Sequence, residues 1–411
     1  MPFQTHRLAN GLQVIGEVLP TSRSVALGFF VKTGSRDETT DECGVSHFLE
    51  HMMFKGTARR TAFDVNLDFD RIGANYNAYT SEETTVYYAS VLPEYIPKAL
   101  DILADILRPS LRTADFDTEK QVILEEIKMY DDQPASVAWD RAKEAYYRGH
   151  PLGNSILGTH ATITALSAEQ MRAYFQRRYA PSNILVSIAG NFAWDGFLEL
   201  LGRATADWDE APPKPRELAA APSPGGVHTF TKADLAQQHV LALATAPAAN
   251  DPLRYAASVL AVALGDDSGS RFHWELVDPG KVESANCGVD HSEGSGLLAA
   301  SFSCDPGEAA SNLDIVRRVL ADVQSNGLHG DELEQAKNKI ASRVVRASER
   351  PMGRMRTIAG SWMYNGEYSD PDVELARFDA VSPADIGTYL ERFPVTGLTV
   401  VGYGPQASLG A

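Results

Sequence analysis

Two histidines four residues apart, with a glutamate just before the second, lie in the segment CGVSHFLEHMMFKGT (43–57). Phe48, Leu49, Met52 and Met53 are apolar among good helix formers, so the segment is predicted to be helical. His47 and His51 then stand about 40° apart around the helix, with both imidazoles facing one way and spaced to share one metal ion. Glu50 lies beside them, placed to take a proton from a water on that ion. A catalytic zinc wants three protein ligands and an open position. Candidates for the third ligand are Glu119, Glu125 and Glu126, in TEKQVILEEIKMY (118–130). Glu119 and Glu126 are seven residues apart and share a helix face, while Glu125 is turned about 100° from Glu126 and reads as solvated. One of the shared-face pair could bind the metal while the other orients a ligand histidine. Val122, Ile123 and Ile127 are expected to form the buried face of that helix.

The elements that must position these residues come in clusters. Residues 11–32 hold two β-branched runs around a turn, read as paired strands, and 77–91 alternates in a Thr- and Tyr-rich strand pattern. Residues 95–107 and 118–130 carry helical spacing. The midpoint segment 209–226, DEAPPKPRELAAAPSPGG, holds five prolines and reads as a semi-rigid linker. It separates an expected zinc-binding domain, 1–208, from an expected metal-free domain, 227–411. A weak repeat relates the two: Ser167 matches Ser382 and Tyr174 matches Tyr389 at an offset of 215, and Gly190 matches Gly404 at 214. The segments 115–120 and 332–337 match at 217. The fold expected is α+β, as two homologous halves, each a mainly antiparallel sheet packed against helices.

Charge and composition narrow the function. The 411 residues contain 37 Lys+Arg against 54 Asp+Glu, a net charge of −17, which argues against a nucleic-acid partner. No run of 18 apolar residues offers a membrane span, and the first twenty residues lack a secretory signal pattern. Three cysteines are too few for a disulfide framework, so a cytoplasmic location is expected.

HFLEHMMFKGT, followed 75 residues after His51 by Glu126, resembles the pitrilysin family of zinc metallopeptidases. These are the inverzincins, whose HxxEH reverses HExxH, and the family includes the mitochondrial processing peptidase. Length and the single linker are similar to its short bacterial branch. Further matches are LANGLQV (8–14), IGANYNAYTSEETTVYY (72–88), HPLGNSILGT (150–159), RYAPSNILVSIAGN (178–191) and DELEQAKNKIASRVV (331–345). The resemblance implies one Zn2+ per chain held by His47, His51 and Glu126, with Glu50 as general base and Glu119 as supporting carboxylate. It also implies an extended peptide substrate added as a strand to a sheet edge, with Asn77, Ala78, Tyr79 and Thr80 as binding residues near the scissile bond. Two halves make up less than the four-domain chamber of such peptidases, so a dimer is expected.

The second half departs from the family. Carrying the offsets over puts Val262, Gly265 and Asp266 opposite His47, Glu50 and His51, and Ala336 and Arg343 opposite Glu119 and Glu126. An arginine and a tyrosine that bind substrate in the family are replaced by Val277 and Ser284, or by Leu276 and Glu283 in the neighbouring register. Three readings follow: a heterodimer whose second chain supplies the Arg/Tyr pair, a substrate contact through Arg271 instead, or a non-catalytic subunit that binds peptides or assembles with a relative.

Overall fold

The structure is a computed structural model that describes residues 3–209, 216, 218, 221 and 225–409, so most of the 209–226 linker lies outside the described residues. The chain divides into two compact units, neither continuous in sequence. The first comprises Met1–Lys128, Asn154–Glu217 and Arg346–Ser369; the second comprises Met129–Gly153, Leu218–Val345 and Asp370–Ala411. These bounds differ from a cut at the linker, because one helix from each half of the sequence packs on the other half's sheet. Pro134–Tyr147 lies on strands of the second unit and Pro351–Asn365 on strands of the first.

In the first unit the strands are β1 (Phe3–Arg7), β2 (Gln13–Val18), β3 (Val25–Val31), β4 (Asn75–Thr80), β5 (Thr85–Val91) and β6 (Ile184–Gly190). They form one sheet in the order β1-β2-β6-β3-β5-β4, antiparallel except for β2 and β6. The second unit holds β7 (Gly226–Thr231), β8 (Gln238–Thr245), β9 (Ala285–Ser292), β10 (Ser295–Cys304) and β11 (Thr399–Gly404), in the order β7-β11-β8-β10-β9 with β7 and β11 parallel. Apart from β1, the two orders and orientations are the same. The expected α+β fold of two homologous, mainly antiparallel halves is therefore observed.

The matched residues of the repeat turn out to have matched jobs. Ser167 and Ser382 each accept a hydrogen bond from a backbone N–H in the first turn of the helix they precede. Tyr174 and Tyr389 are both fully buried. Gly190 and Gly404 end β6 and β11 with φ of +133° and +152°; a Cβ there would come within 2.5 Å and 2.6 Å of its neighbours.

Two strand expectations change. Residues 11–32 do supply two strands, but β2 and β3 do not pair with each other; β6, about 150 residues later, lies between them. Residues 77–91 are a hairpin, because Ser81 turns the chain by hydrogen-bonding Thr84. β3 and β6 are buried throughout, as strands covered on both faces must be. One face meets the large core that includes Phe48, Leu49 and Met52; the other meets Met355, Ile358 and Ala359 of the Pro351–Asn365 helix. β4 is the last strand of its sheet, and its outer edge has no partner strand among the described residues.

The helix Val45–Met53 is nine residues long, too short to persist in water without tertiary support. Val45, Phe48, Leu49, Met52 and Met53 form its buried stripe. Gly44 precedes it with φ +93°, and a Cβ there would lie 2.6 Å from the Leu157 carbonyl oxygen. The Glu38 carboxyl, from the preceding loop, accepts hydrogen bonds from the N–H groups of Gly44 and Ser46, each at 2.7 Å. The helix start is further tied down by Ser46 Oγ, 2.7 Å from Tyr174 OH, which in turn is 2.6 Å from Thr33 Oγ1.

Burial pushes the Glu38 carboxyl from 4.5 up to about 8, against the opposing pull of its two backbone N–H donors. A carboxyl raised in the folded state binds a proton there that the unfolded chain has released, so it lowers stability as pH rises through that window. The expected outcome is a contribution from this group that lowers stability as pH rises between 4.5 and 8. Glu38→Gln should flatten that slope in urea titrations; an unchanged slope would show that Glu38 does not carry it.

Candidate functional site

Opposite the buried stripe of the Val45–Met53 helix, His47, Glu50 and His51 occupy the i, i+3 and i+4 positions of a second stripe. The two imidazole rings lie 4.8 Å apart, centroid to centroid. Facing them is the helix Thr113–Asp131, nineteen residues long and begun five residues before the predicted start. Its Phe116, Glu119, Ile123, Leu124 and Ile127 are buried. Val122, expected among them, is 47% exposed. It lies one turn from Glu126 and shares that residue's open side. Glu125 is exposed and pairs with Lys128 at 2.6 Å, the solvated state its helix angle implied.

The shared-face pair divides as the spacing allows. Glu126 Oε2 stands 3.8 Å from His47 Nε2 and 3.6 Å from His51 Nε2, beyond good hydrogen-bond reach of either. Glu119 Oε1 is 2.9 Å from His51 Nδ1, and Glu119 Oε2 is 2.6 Å from Lys55 Nζ. Lys55 is four residues past His51, one helical turn on, and that spacing is the sequence signal for its contact with Glu119.

The donor set fits a divalent zinc ion. One atom from each of His47, His51 and Glu126 lies within 4.8 Å of the others, and among the described residues no other group of three His, Cys, Asp or Glu does this. Four-coordinate zinc with bonds of about 2.1 Å places its ligand atoms roughly 3.4 Å apart, close to the 3.6 and 3.8 Å seen here. The Nδ1 of His47 is buried with no hydrogen-bond partner among the described residues. Burial, helped by the neighbouring His51, pushes the His47 imidazole down to about 3, so it is neutral at physiological pH as a metal ligand must be.

The other charges are set by burial against local partners. Burial raises the carboxyls of Glu50 and Glu126; a hydrogen bond from Thr80 and the nearby His51 pull Glu50 back, and His51 pulls Glu126 back. For Glu119 burial is outweighed by hydrogen bonds from His51 and Lys55, and its carboxyl is lowered. Burial presses His51 down, but the Glu119 hydrogen bond and the charges of Glu126 and Glu50 leave it raised.

The four residues expected to meet a substrate sit on β4. Ala78 and Thr80 face the histidine helix, and Asn77 and Tyr79 face the side covered by Pro351–Asn365, as their pairing with Tyr87, Thr85, Tyr88 and Val86 fixes. Thr80 has a further role that its strand position did not signal: its hydroxyl donates to Glu50 Oε2 at 2.7 Å. The hairpin carrying these residues is anchored by Glu83, which binds Arg36 at 2.6 Å, Arg216 at 3.3 Å and the Tyr364 hydroxyl at 2.8 Å.

In the second unit the corresponding positions hold an ion pair. Asp266 caps the helix Arg254–Gly265 and binds Arg343 and Lys339, the latter at 2.9 Å, on the helix Gly330–Ser348. Leu276 is buried, and neither Val277, Ser284 nor Glu283 supplies an arginine or tyrosine. Arg271 is held by Glu332 and Asp322 at 2.8 and 2.7 Å, which occupies the group that could have replaced them.

Comparison with known proteins gives the family. The sequence pattern of insulinase (Peptidase family M16) matches residues 13–160, and that of the Peptidase M16 inactive domain matches residues 165–340. An uncharacterized zinc protease of Mycobacterium leprae is 32% identical over 98% of this chain and 91% of its own length. The uncharacterized zinc protease YmxG of Bacillus subtilis is 32% identical over 91% of each chain. Among solved structures, a protease from Helicobacter pylori superposes with a TM-score of 0.90 at 21% identity, covering 98% of this chain and 99% of its own. A peptidase M16 inactive domain from Pseudomonas fluorescens gives 0.92 at 17% identity over 99% of each chain. With the M16 pattern followed in sequence by the M16 inactive-domain pattern, and relatives matched over nearly their whole length, the chain belongs to the M16 family of peptidases.

Proposed function

We propose that this protein is a zinc-dependent endopeptidase that hydrolyses peptides or unfolded segments bound as an added strand on the outer edge of β4. The observation that carries the reading is the convergence of His47, His51 and Glu126, with Glu50 held beside them by Thr80 from the edge strand itself. His47, His51 and Glu126 would hold one zinc ion per chain, which supplies Lewis-acid polarisation of a carbonyl and a water acidified towards pH 7. Glu50 receives the proton of the attacking water at its carboxylate and delivers it to the departing amine. Glu119 fixes the ring orientation of His51 by accepting from Nδ1, and Lys55 keeps Glu119 anionic. The backbone of β4 supplies the ladder that holds the substrate extended, with Asn77, Ala78, Tyr79 and Thr80 beside the bond to be cut.

The reading extends to a metal-free second domain and to a dimer enclosing the substrate, in the cytoplasm, where cysteines stay in the thiol form. A second reading is a subunit that binds peptides without cutting them, or cuts only with a relative. The absence of an Arg/Tyr pair at 277 and 284 favours it. Metal content and activity of the purified chain separate the two. Zinc near one per chain with cleavage of an unstructured peptide supports the endopeptidase; a zinc-free protein that binds but does not cut supports the subunit.

Three variants test the roles. Glu50→Gln should retain zinc and lose about 10²–10⁴-fold in kcat; full activity would remove Glu50 from the mechanism. Thr80→Val removes a hydrogen bond that holds the Glu50 carboxyl down. The acid limb of the kcat/KM profile, which requires ionised Glu50, should therefore move to higher pH. Glu119→Gln should weaken zinc binding by about 10–100-fold in competition with a chromogenic chelator. An unaltered affinity would show that the His51 contact does not tune the site.

A further inference from the structure

The helix Pro351–Asn365 covers one face of the first unit's sheet and contains no acidic residue, in a chain with 54 of them. Its two charges are Arg354 and Arg356. Arg354 is buried and neutralised: it binds Glu17 at 2.7 Å and the Ser369 carbonyl at 2.7 Å. Arg356 is exposed and has no carboxylate within ion-pair distance among the described residues. Its guanidinium instead lies over two tyrosine rings, 4.7 Å from the Tyr88 centroid and 5.6 Å from that of Tyr79. Tyr79 is on β4 itself, Tyr88 on the neighbouring β5.

This placement matters because of what alternation does to a strand on the β4 edge. Successive side chains of such a strand point to opposite faces of the sheet, so one set falls on the zinc side with Thr80 and the other beside Tyr79. A residue directly opposite Tyr79 has its Cβ about 5 Å from that of the tyrosine. The guanidinium then lies within reach of a long side chain on that face. Cation–π contacts with the two rings leave N–H groups of the guanidinium free to donate, and they hold it beside β4 before any ligand arrives. A planar, preoriented, unpaired cation is matched by a carboxylate, which can accept two of its N–H groups at once.

We propose that Arg356, held on Tyr79 and Tyr88, forms a subsite that selects an acidic side chain on the substrate face turned away from the metal. The inference rests on the reading of β4 as the peptide-binding edge. It runs opposite to the preference for basic peptides that the net charge of −17 alone would suggest.

The test is a set of peptides sharing one cleavage site, with Glu, Gln or Lys placed in turn at each of the three residues on either side of it. For wild-type protein, kcat/KM should favour Glu over Gln by about fivefold, the upper range for a solvent-exposed charge pair, at alternate positions facing the tyrosines. Arg356→Ala should bring that ratio to near one, and Arg356→Glu should turn it in favour of Lys. The same peptides bound to Glu50→Gln protein, followed by fluorescence anisotropy, should rank identically, which a merely structural role for Arg356 would not produce. A wild-type ratio near one at every position, or a ratio untouched by Arg356→Ala, overturns the subsite while leaving the peptidase reading intact. Failure of any of these peptides to be bound or cut overturns the peptidase reading and the subsite with it.

Discussion

Everything at the site depends on one nine-residue helix being held in a fixed rotation. Val45–Met53 carries two interleaved stripes, apolar on one side and His47, Glu50 and His51 on the other. A rotation of one residue, about 100°, in the direction that buries Glu50 would expose Phe48 and Met52. The helix cannot enforce this alone, since a segment of two and a half turns gains little from its own hydrogen bonds. Enforcement comes from outside it. The Glu38 carboxyl takes the first N–H groups, the left-handed Gly44 fits against Leu157 and Gly158, and Tyr174 clamps Ser46. A carboxyl is costly to bury at the Glu38 position, and its use there fits a helix start whose aim matters more than its stability.

The two units separate what the fold needs from what the chemistry needs. Both keep a capping serine before the helix that leads into the parallel-paired strand, a buried tyrosine on that helix and a strand-ending glycine. Those residues serve backbone geometry and packing, and they are where the repeat is strongest. Where the first unit gathers His51 and Glu126, the second joins Asp266 to Arg343 and Lys339. In both, a short helix ends against a nineteen-residue helix with charged groups at the junction. One junction carries its own counter-charge in arginine and lysine; the other has three carboxylates and, among the described residues, Lys55 as the lysine or arginine paired with one of them. The architecture accepts either solution, so the histidines and glutamates are not there to hold the fold together.

What could be read in the sequence follows the range of the interactions involved. The helical faces that pair His47 with His51, and Glu119 with Glu126, are local geometry and were legible residue by residue. The repeat was legible from residues matched at a nearly constant offset. Partners decided by chain returning from far away were not. β6 lies between β2 and β3, Arg216 of the linker binds Asp37 and Glu83, and a helix of each half covers the other half's sheet. Thr80 shows the limit most sharply: its place on an edge strand was readable, but the hydroxyl's contact with Glu50 needs the distance between two elements. Val122 fails in the other direction, because an apolar residue on a half-open helix face gives no sign of which side will be covered.

The three carboxylates around the two imidazoles are chemically alike in sequence and become different through their neighbours. Glu119 has an ammonium and an imidazole against its oxygens and is lowered. Glu50 and Glu126 have only partial compensation and are raised by burial. A proton is the one way the chain by itself can relieve that pair; a divalent cation is a better one, because it also draws on the neutral His47 that no proton satisfies. Bound to the folded state alone, such an ion adds its binding free energy to folding. Residues that would weaken the fold when left to themselves thus become, in the proposed role, a source of its stability. The Asp266–Arg343 junction of the second unit carries its own counter-charge and gains nothing comparable from an ion.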